Sequence, residues 1–275
     1  MIYVKRKWLS PLPVVLILII ALAWVTVPKP IVPYDQYPRI QRAMVDITMS
    51  FSFSFKTREG ESEPIIMTTY GQGVAIAPHL ILTARHVVVP PKEVYLFFVK
   101  VPIKVQTVWV EVLEKEVTQW GFYDTFSAEV IWYDEKVDVA LLYVDRELPY
   151  FWNGIGKARL GETVFFADSR AAKSLALLKT EIVGIGFDGF DIEEDMGMLL
   201  FFKDKTFSNP DVIGTALPAV GGVSGGPLMN RKGEYVGVAS FGAEVLYFAP
   251  LWKVEEAVIF LRNLYGWGDY CEGGY

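Results

Sequence analysis

Residues 45–55 read V-D-I-T-M-S-F-S-F-S-F, with an apolar side chain at every second position for eleven residues. Successive side chains of a strand point to opposite faces, so this period of two gathers the apolar groups on one face of a half-buried strand. Wound as a helix, the same residues would spread around the whole circumference. The pattern recurs along the chain. Residues 65–77 and 80–89 flank Pro78-His79 and read as a hairpin, and residues 94–117 carry Val101, Ile103, Val105, Val108, Val110 and Val112. Further strands are expected at 128–132, 137–144, 163–167, 180–187, 198–203, 234–241 and 245–248. From Pro250 the period changes: Leu251, Val254, Val258, Leu261 and Leu264 follow helical spacing, and Gly266 stops the run. Many short strands separated by turn residues predict antiparallel barrels or a sandwich rather than a parallel sheet. A stretch rich in Pro, Gly and Trp at 148–161 is placed to join two halves.

The first residues follow a different rule. Lys5-Arg6-Lys7 precede twenty uncharged residues, 8–27. As a helix this stretch would be about 30 Å long, the thickness of the bilayer's hydrocarbon core. Trp8 and Trp24 lie near its ends, as interfacial aromatics do, and Pro11 and Pro13 fall in its first turns. Ala21-Leu22-Ala23 also matches a small-x-small processing site. The segment is therefore a membrane anchor or a cleaved signal peptide. Either way the basic flank remains in the cytoplasm and everything after Pro28 is exported. Residues 28–33, with three prolines in six, are expected to form a stiff, extended spacer.

Charge and residue counts exclude several functions. Four of the 26 Lys and Arg precede Tyr34, and the first acid is Asp35, so the rest carries 22 basic against 32 acidic residues, a net of −10. So acidic a body repels phosphate backbones, and nucleic-acid binding is not expected. The single cysteine, Cys271, allows no internal disulfide and no cysteine-based zinc cluster. No metal or cofactor is expected. Residues 188–195 hold five acids in eight positions, but not at EF-hand spacing, and read as a solvated loop.

Residues 222–227, Gly-Val-Ser-Gly-Gly-Pro, carry the most chemical information. Glycines around a serine let the backbone turn tightly, expose the hydroxyl and aim amides outward. The stretch also fits the G-x-S-x-G elbow of α/β-hydrolases, but there the histidine follows the serine, whereas His79 and His86 both precede Ser224. Two candidate bases remain. His79 lies in an apparent hairpin turn, and His86 closes a strand at the entry to a turn. A carboxylate must orient the base. Asp138 directly precedes the apolar run Val139-Ala140-Leu141-Leu142, where a buried acid demands a partner, while Asp134 and Asp145 read as surface charges.

Leu82-Thr83-Ala84-Arg85-His86-Val87-Val88, Asp138-Val139-Ala140-Leu141-Leu142 and Gly222-Val223-Ser224-Gly225-Gly226-Pro227-Leu228 together resemble the trypsin-like, chymotrypsin-fold serine peptidases, closest in flavour to their Deg/HtrA branch. The motifs stand in the family's order, 52 and 86 residues apart, and the resemblance runs over about residues 44–264. It implies an all-β fold: two packed antiparallel six-stranded β-barrels with a C-terminal helix, behind an N-terminal transmembrane or signal helix. The expected organisation is 1–27 anchor or signal, 28–40 spacer, 41–150 first barrel, 151–265 second barrel with helix, and 266–275 tail. Val87 replaces the cysteine of disulfide-bearing members, and Arg85 is larger than the residue often found there. Val223 replaces the acid that pairs with a new N-terminus in zymogen-type members, so activation by such cleavage is not expected. No peptide-binding module is expected after the helix.

The resemblance implies acyl transfer in an extracytoplasmic serine endopeptidase, with Ser224 as nucleophile, His86 as general base and Asp138 orienting it. The oxyanion would rest on the amides of Gly222 and Ser224. Ser240, Phe241 and Gly242 would pair with a protein or peptide substrate as an added strand. Pro218, six residues before the nucleophile, would floor an uncharged specificity pocket, with Glu244 the one nearby carboxylate that could change this. A non-catalytic peptide-binding module on the same fold, or a hydrolase of other esters or amides, is the competing class. Phe51, Phe53 and Phe55 are expected to face the core rather than an oligomer contact, and the oligomeric state is left open.

Overall fold

The protein is described from a computed structural model that covers residues 32–58, 60–96, 99–114, 125–169, 176–186, 212–218, 220–242 and 245–265. The apolar segment at 8–27, the acidic stretch at 188–195, the expected strand at 198–203, Glu244 and Cys271 lie outside the described residues. Among the described residues no helix is long and apolar enough to cross a membrane.

The end of the expected spacer is helical. α1 (Val32–Asp35) and α2 (Tyr37–Ala43) follow directly on one another, and Ile40 and Ala43 are fully buried. Pro33 and Pro38 sit in first turns, where the missing amide has no intrahelical partner to lose and the fixed φ suits a helix. Pro33, expected to end a stiff extended stretch, thus sits in the first turn of a short helix, and Pro38 in the first turn of the next. Tyr34 then meets the Phe165 ring edge-on at 5.2 Å.

The first half contains β1 (Met44–Ser54), β2 (Ile65–Ala77), β3 (Leu80–Ala84), β6 (Lys104–Glu114), β7 (Thr125–Ser127), β8 (Glu129–Asp134) and β9 (Val139–Tyr143), with β4 (Glu93–Leu96) and β5 (Val99–Pro102) as a separate hairpin. The alternation of β1 does what its sequence requires. Val45, Ile47, Met49, Phe51 and Phe53 are all at most 1% exposed, so the phenylalanines serve the core. β1 pairs antiparallel with β2 on one side and β6 on the other.

The expected first barrel is instead a seven-stranded sheet in the order β7-β6-β1-β2-β3-β9-β8. Its two outermost strands are separated in sequence by Ala128 alone, whose amide donates to the Val110 carbonyl at 3.0 Å. β7 pairs with β6 and β8 with β9, so one bent strand changes partner halfway. That change carries the sheet around on itself and interrupts the ladder at the same point.

The second half is a closed barrel, β10-β11-β12-β15-β14-β13, made of β10 (Thr163–Asp168), β11 (Ala176–Ile185), β12 (Ile213–Pro218), β13 (Pro227–Asn230), β14 (Tyr235–Gly242) and β15 (Val245–Pro250). Residues 144–162 cross between the halves and bond to both. The amides of Val144, Leu148 and Phe151 donate to the carbonyls of His79, Pro78 and Ala75, while the Gly156 amide donates to the Tyr235 carbonyl and the Tyr235 amide to the Gly154 carbonyl. α3 (Arg85–Val88) carries the first half into its active face. After a 3₁₀ turn (Leu251–Lys253), α4 (Glu255–Tyr265) returns to the first half, where Arg262 Nε donates to the Ile76 carbonyl at 3.0 Å and its guanidinium lies 4.8 Å from the Trp152 ring. Buried residues of both halves, Ile76 and Leu141 with Met229, Val238 and Val258, belong to one apolar cluster. The halves are therefore joined by core, which fixes what lies between them.

Candidate active site

His86 is delivered by a strand end and a single helical turn. β3 is buried at all five positions, and Val87 and Val88 are about 1% exposed, so they anchor α3 and leave the His86 side chain 36% exposed. Val87, in place of a cysteine, packs onto Gly71, where an added Cβ would come within 2.6 Å of it. Arg85 is accommodated by turning to its own side: its guanidinium lies 3.8 Å from Glu135 and 5.8 Å from the centre of the Tyr133 ring.

Asp138 sits in the turn between β8 and β9 with φ 60°, the one non-glycine residue in the left-handed region among the described residues. Aspartate tolerates that region better than most side chains. Asp134, expected to be a surface charge, builds the turn. Its Oδ1 accepts from the amides of Lys136 and Val137, each at 2.8 Å, and its carbonyl accepts from the Asp138 amide at 3.1 Å. Asp145 is exposed, as expected.

The turn drives the Asp138 carboxylate inward, where it is 2% exposed and meets three donors. Oδ1 accepts from the His86 amide at 3.0 Å, Oδ2 lies 2.8 Å from His86 Nδ1, and Ser240 Oγ donates to Oδ2. Burial pushes the His86 imidazolium toward losing its proton, and Arg85 adds to that. The charge and hydrogen bond of Asp138 together outweigh both, so the imidazole pKa is raised. His79 has no part in this arrangement. It stands at the opposite end of β3, with Nδ1 3.1 Å from the Val144 carbonyl.

Ser224 is held on a loop whose peptides are fixed one by one. The Val223 carbonyl accepts from the Gly226 amide at 3.0 Å. Because a trans peptide points its C=O and N–H in opposite directions, the Ser224 amide faces away from that bond. The Ser224 carbonyl accepts from the Gln72 amide at 2.7 Å, and the Gly225 amide donates to the Ala239 carbonyl at 2.7 Å. Gly225, at φ 91°, has no room for a side chain: a Cβ would lie 1.8 Å from the Gln72 carbonyl oxygen. Val223 is 5% exposed and packs in the barrel core with Phe166 and Leu228, an environment no ion pair would choose. Ser224 Oγ donates to the Ser240 carbonyl at 3.4 Å. Ser240 thus touches both Ser224 and Asp138, a role beyond the strand pairing expected of it.

Ser240 to Gly242 run past Val238, the last residue of β14 in the β13 ladder. Phe241 stacks on Tyr247, with centroids 4.8 Å apart and planes 18° from parallel. Pro218 is exposed at the end of β12 across from Val245, and Val220 is 51% exposed. Leu246, which sequence reasoning passed over, is 2% exposed, lies opposite Gly242 and joins the same apolar cluster as Val223. Its signal was its place in the continuous apolar run of β15. Among the described residues no group of three or more His, Cys, Asp or Glu side chains could hold a metal ion.

No curated protein matches this chain in sequence. A solved structure described as the crystal structure of Deg5 has the same fold, with a TM-score of 0.53 over 85% of this chain and 94% of that one, at 16% identity. The family model for the trypsin-like peptidase domain matches residues 71–238, more than half of the chain and a stretch that holds His86, Asp138 and Ser224. The chain belongs to the trypsin-like peptidase family.

Proposed function

We propose that this protein is an exported serine endopeptidase, tethered to the membrane by its N-terminal segment. The observation that carries the reading is the grip of Asp138 on His86, through the ring at 2.8 Å and the backbone amide at 3.0 Å, with Ser240 linking Asp138 to the hydroxyl of a serine on a glycine-bounded turn. With Nδ1–H donated to Asp138, His86 presents Nε2 as the acceptor. Ser224 Oγ attacks the scissile carbonyl carbon as its proton passes to Nε2. The electron pair moves to the carbonyl oxygen, which the amides of Gly222 and Ser224 stabilise. Collapse releases the amine, protonated by His86, and water repeats the sequence to free the acyl group. The edge at Ser240–Gly242 accepts the substrate as an added strand. Leu217 and Pro218, at the end of β12 ahead of the nucleophile loop, carry no charge, so cleavage after uncharged residues is expected. A fluorophosphonate needs an activated serine and tests the proposal directly. Labelling of the wild type, lost in Ser224→Ala, supports a peptidase; an unlabelled wild type would instead leave a non-catalytic binding module.

The elevated His86 pKa sets the pH dependence. The neutral ring is the working base, so kcat/KM should rise with pH on an acidic limb centred above the ordinary histidine value of about 6.5. A limb centred at or below that value would show that Asp138 does not hold the imidazolium in the free enzyme.

The tether rests on the charge pattern before Tyr34. Protease added to intact cells is expected to digest the body and spare the residues before Trp8. A protected body would reverse the topology.

A further inference from the structure

Gln72 is a polar side chain in the buried end of β2, and it is fully buried. Its amide is fully engaged. Nε2 donates to Asp168 Oδ1 at 3.0 Å and to the Gly222 carbonyl at 3.2 Å, while Oε1 accepts from the Ser169 amide at 3.1 Å. The orientation of the amide is fixed by these partners, since a carboxylate and a carbonyl only accept and a backbone N–H only donates. Beside it on β1, Asp46, the ladder partner of Gln72, accepts from Ser169 Oγ at 3.1 Å. Gln72 therefore spans from the first sheet to the end of β10 and to the nucleophile loop.

Three consecutive peptides of that loop are held by hydrogen bonds at their carbonyls. The Val223 and Ser224 carbonyls are held by backbone amides, of Gly226 and Gln72. The Gly222 carbonyl is held by the Gln72 side chain. Gly222 has φ 83° and no Cβ, so sterics alone leave its peptide free to rotate. We infer that Gln72 is a positioning residue: its side-chain amide pins the Gly222–Val223 peptide, which fixes the Gly222 Cα and so anchors the Gly222 N–H, carried on the preceding peptide, beside the developing oxyanion. This rests on the peptidase reading. The effect belongs to the transition state, because the oxyanion exists only there. Loss of the pin should lower kcat and leave KM nearly unchanged.

The test uses Gln72→Met, which keeps the length of the side chain and removes its donors. With a chromogenic peptide, kcat is expected to fall about 10²-fold, as a misplaced group typically costs, with KM within about twofold. The inhibition constant of a matching peptide aldehyde, whose hemiacetal oxygen needs the same donors, should weaken in parallel. Ser169→Ala is the control: it loses the Oγ bond to Asp46 but keeps the backbone N–H on Gln72, and kcat should hold even if melting temperature falls. Should Gln72→Met fail to fold, Gln72→Asn carries the test alone, with an intermediate loss of kcat expected and wild-type kcat overturning the inference. A loss confined to KM, or one that Ser169→Ala reproduces at equal melting temperature, also overturns it. An inactive wild type overturns the peptidase reading and this inference with it; an active wild type with an equally active Gln72→Met overturns this inference alone.

Discussion

Ser224→Ala should lower kcat on the order of 10⁶-fold while the protein folds normally, since removing the nucleophile of such a triad leaves only binding and oxyanion stabilisation. Folding is spared because the bonds that shape the loop use the backbone of Ser224, not its hydroxyl. The carbonyl is held by Gln72, and Oγ makes one long bond, 3.4 Å, to the Ser240 carbonyl. The melting temperature should therefore hardly move. His86→Ala should be comparably damaging, and the double variant should be no worse than either, because the two side chains act as one unit. His79→Ala should be mild, since that ring lies at the far end of β3, with Nδ1 against the Val144 carbonyl and its centre 6.1 Å from that of Tyr143. Near-normal turnover by purified Ser224→Ala would remove Ser224 from the mechanism.

What the sequence revealed, and what it hid, divides along the range of the interactions involved. Local rules sufficed for β1, whose period of two already placed Val45 to Phe53 in a core, and for the hairpin of β2 and β3. They sufficed equally for the glycine turn around Ser224. Partner exchange between β7 and β8 left no mark, because Ala128 interrupts neither alternation nor turn chemistry. The turn role of Asp134 was hidden for another reason: a loop aspartate looks solvated until its backbone is known to fold back beneath it. Gln72 was the hardest to see. Its partners Asp168, Ser169 and Gly222 lie 96 to 150 residues away, and the only local hint was a polar residue inside the otherwise apolar end of β2. For Pro218, counting back from Ser224 says nothing about how far β12 extends into solvent, and the residue stands exposed at the end of that strand.

Asp138→Asn should cost about 10⁴-fold in kcat, the loss expected when the base is held in the wrong tautomer. Asp138 accepts from three donors, the His86 amide, the His86 ring and Ser240 Oγ. An asparagine offers one accepting oxygen and one donating NH₂. With its oxygen on the His86 amide, the NH₂ meets Nδ1 as a donor, the ring proton moves to Nε2, and His86 can no longer take the proton of Ser224. Stability should change in a way that depends on pH. In the wild type the folded pKa of His86 is raised, so the native state binds the extra proton more readily than the unfolded chain. That contribution is complete below about 6.5 and fades as pH rises through the higher folded value. The wild type should therefore lose denaturant resistance across that interval, and Asp138→Asn should lose much less. Chemical denaturation on both sides of the interval, with kcat measured on the same samples, separates the two effects. If kcat fell while the pH dependence of stability survived, the raised pKa would have to come from some group other than Asp138, and its grip on the imidazolium would have to be discarded.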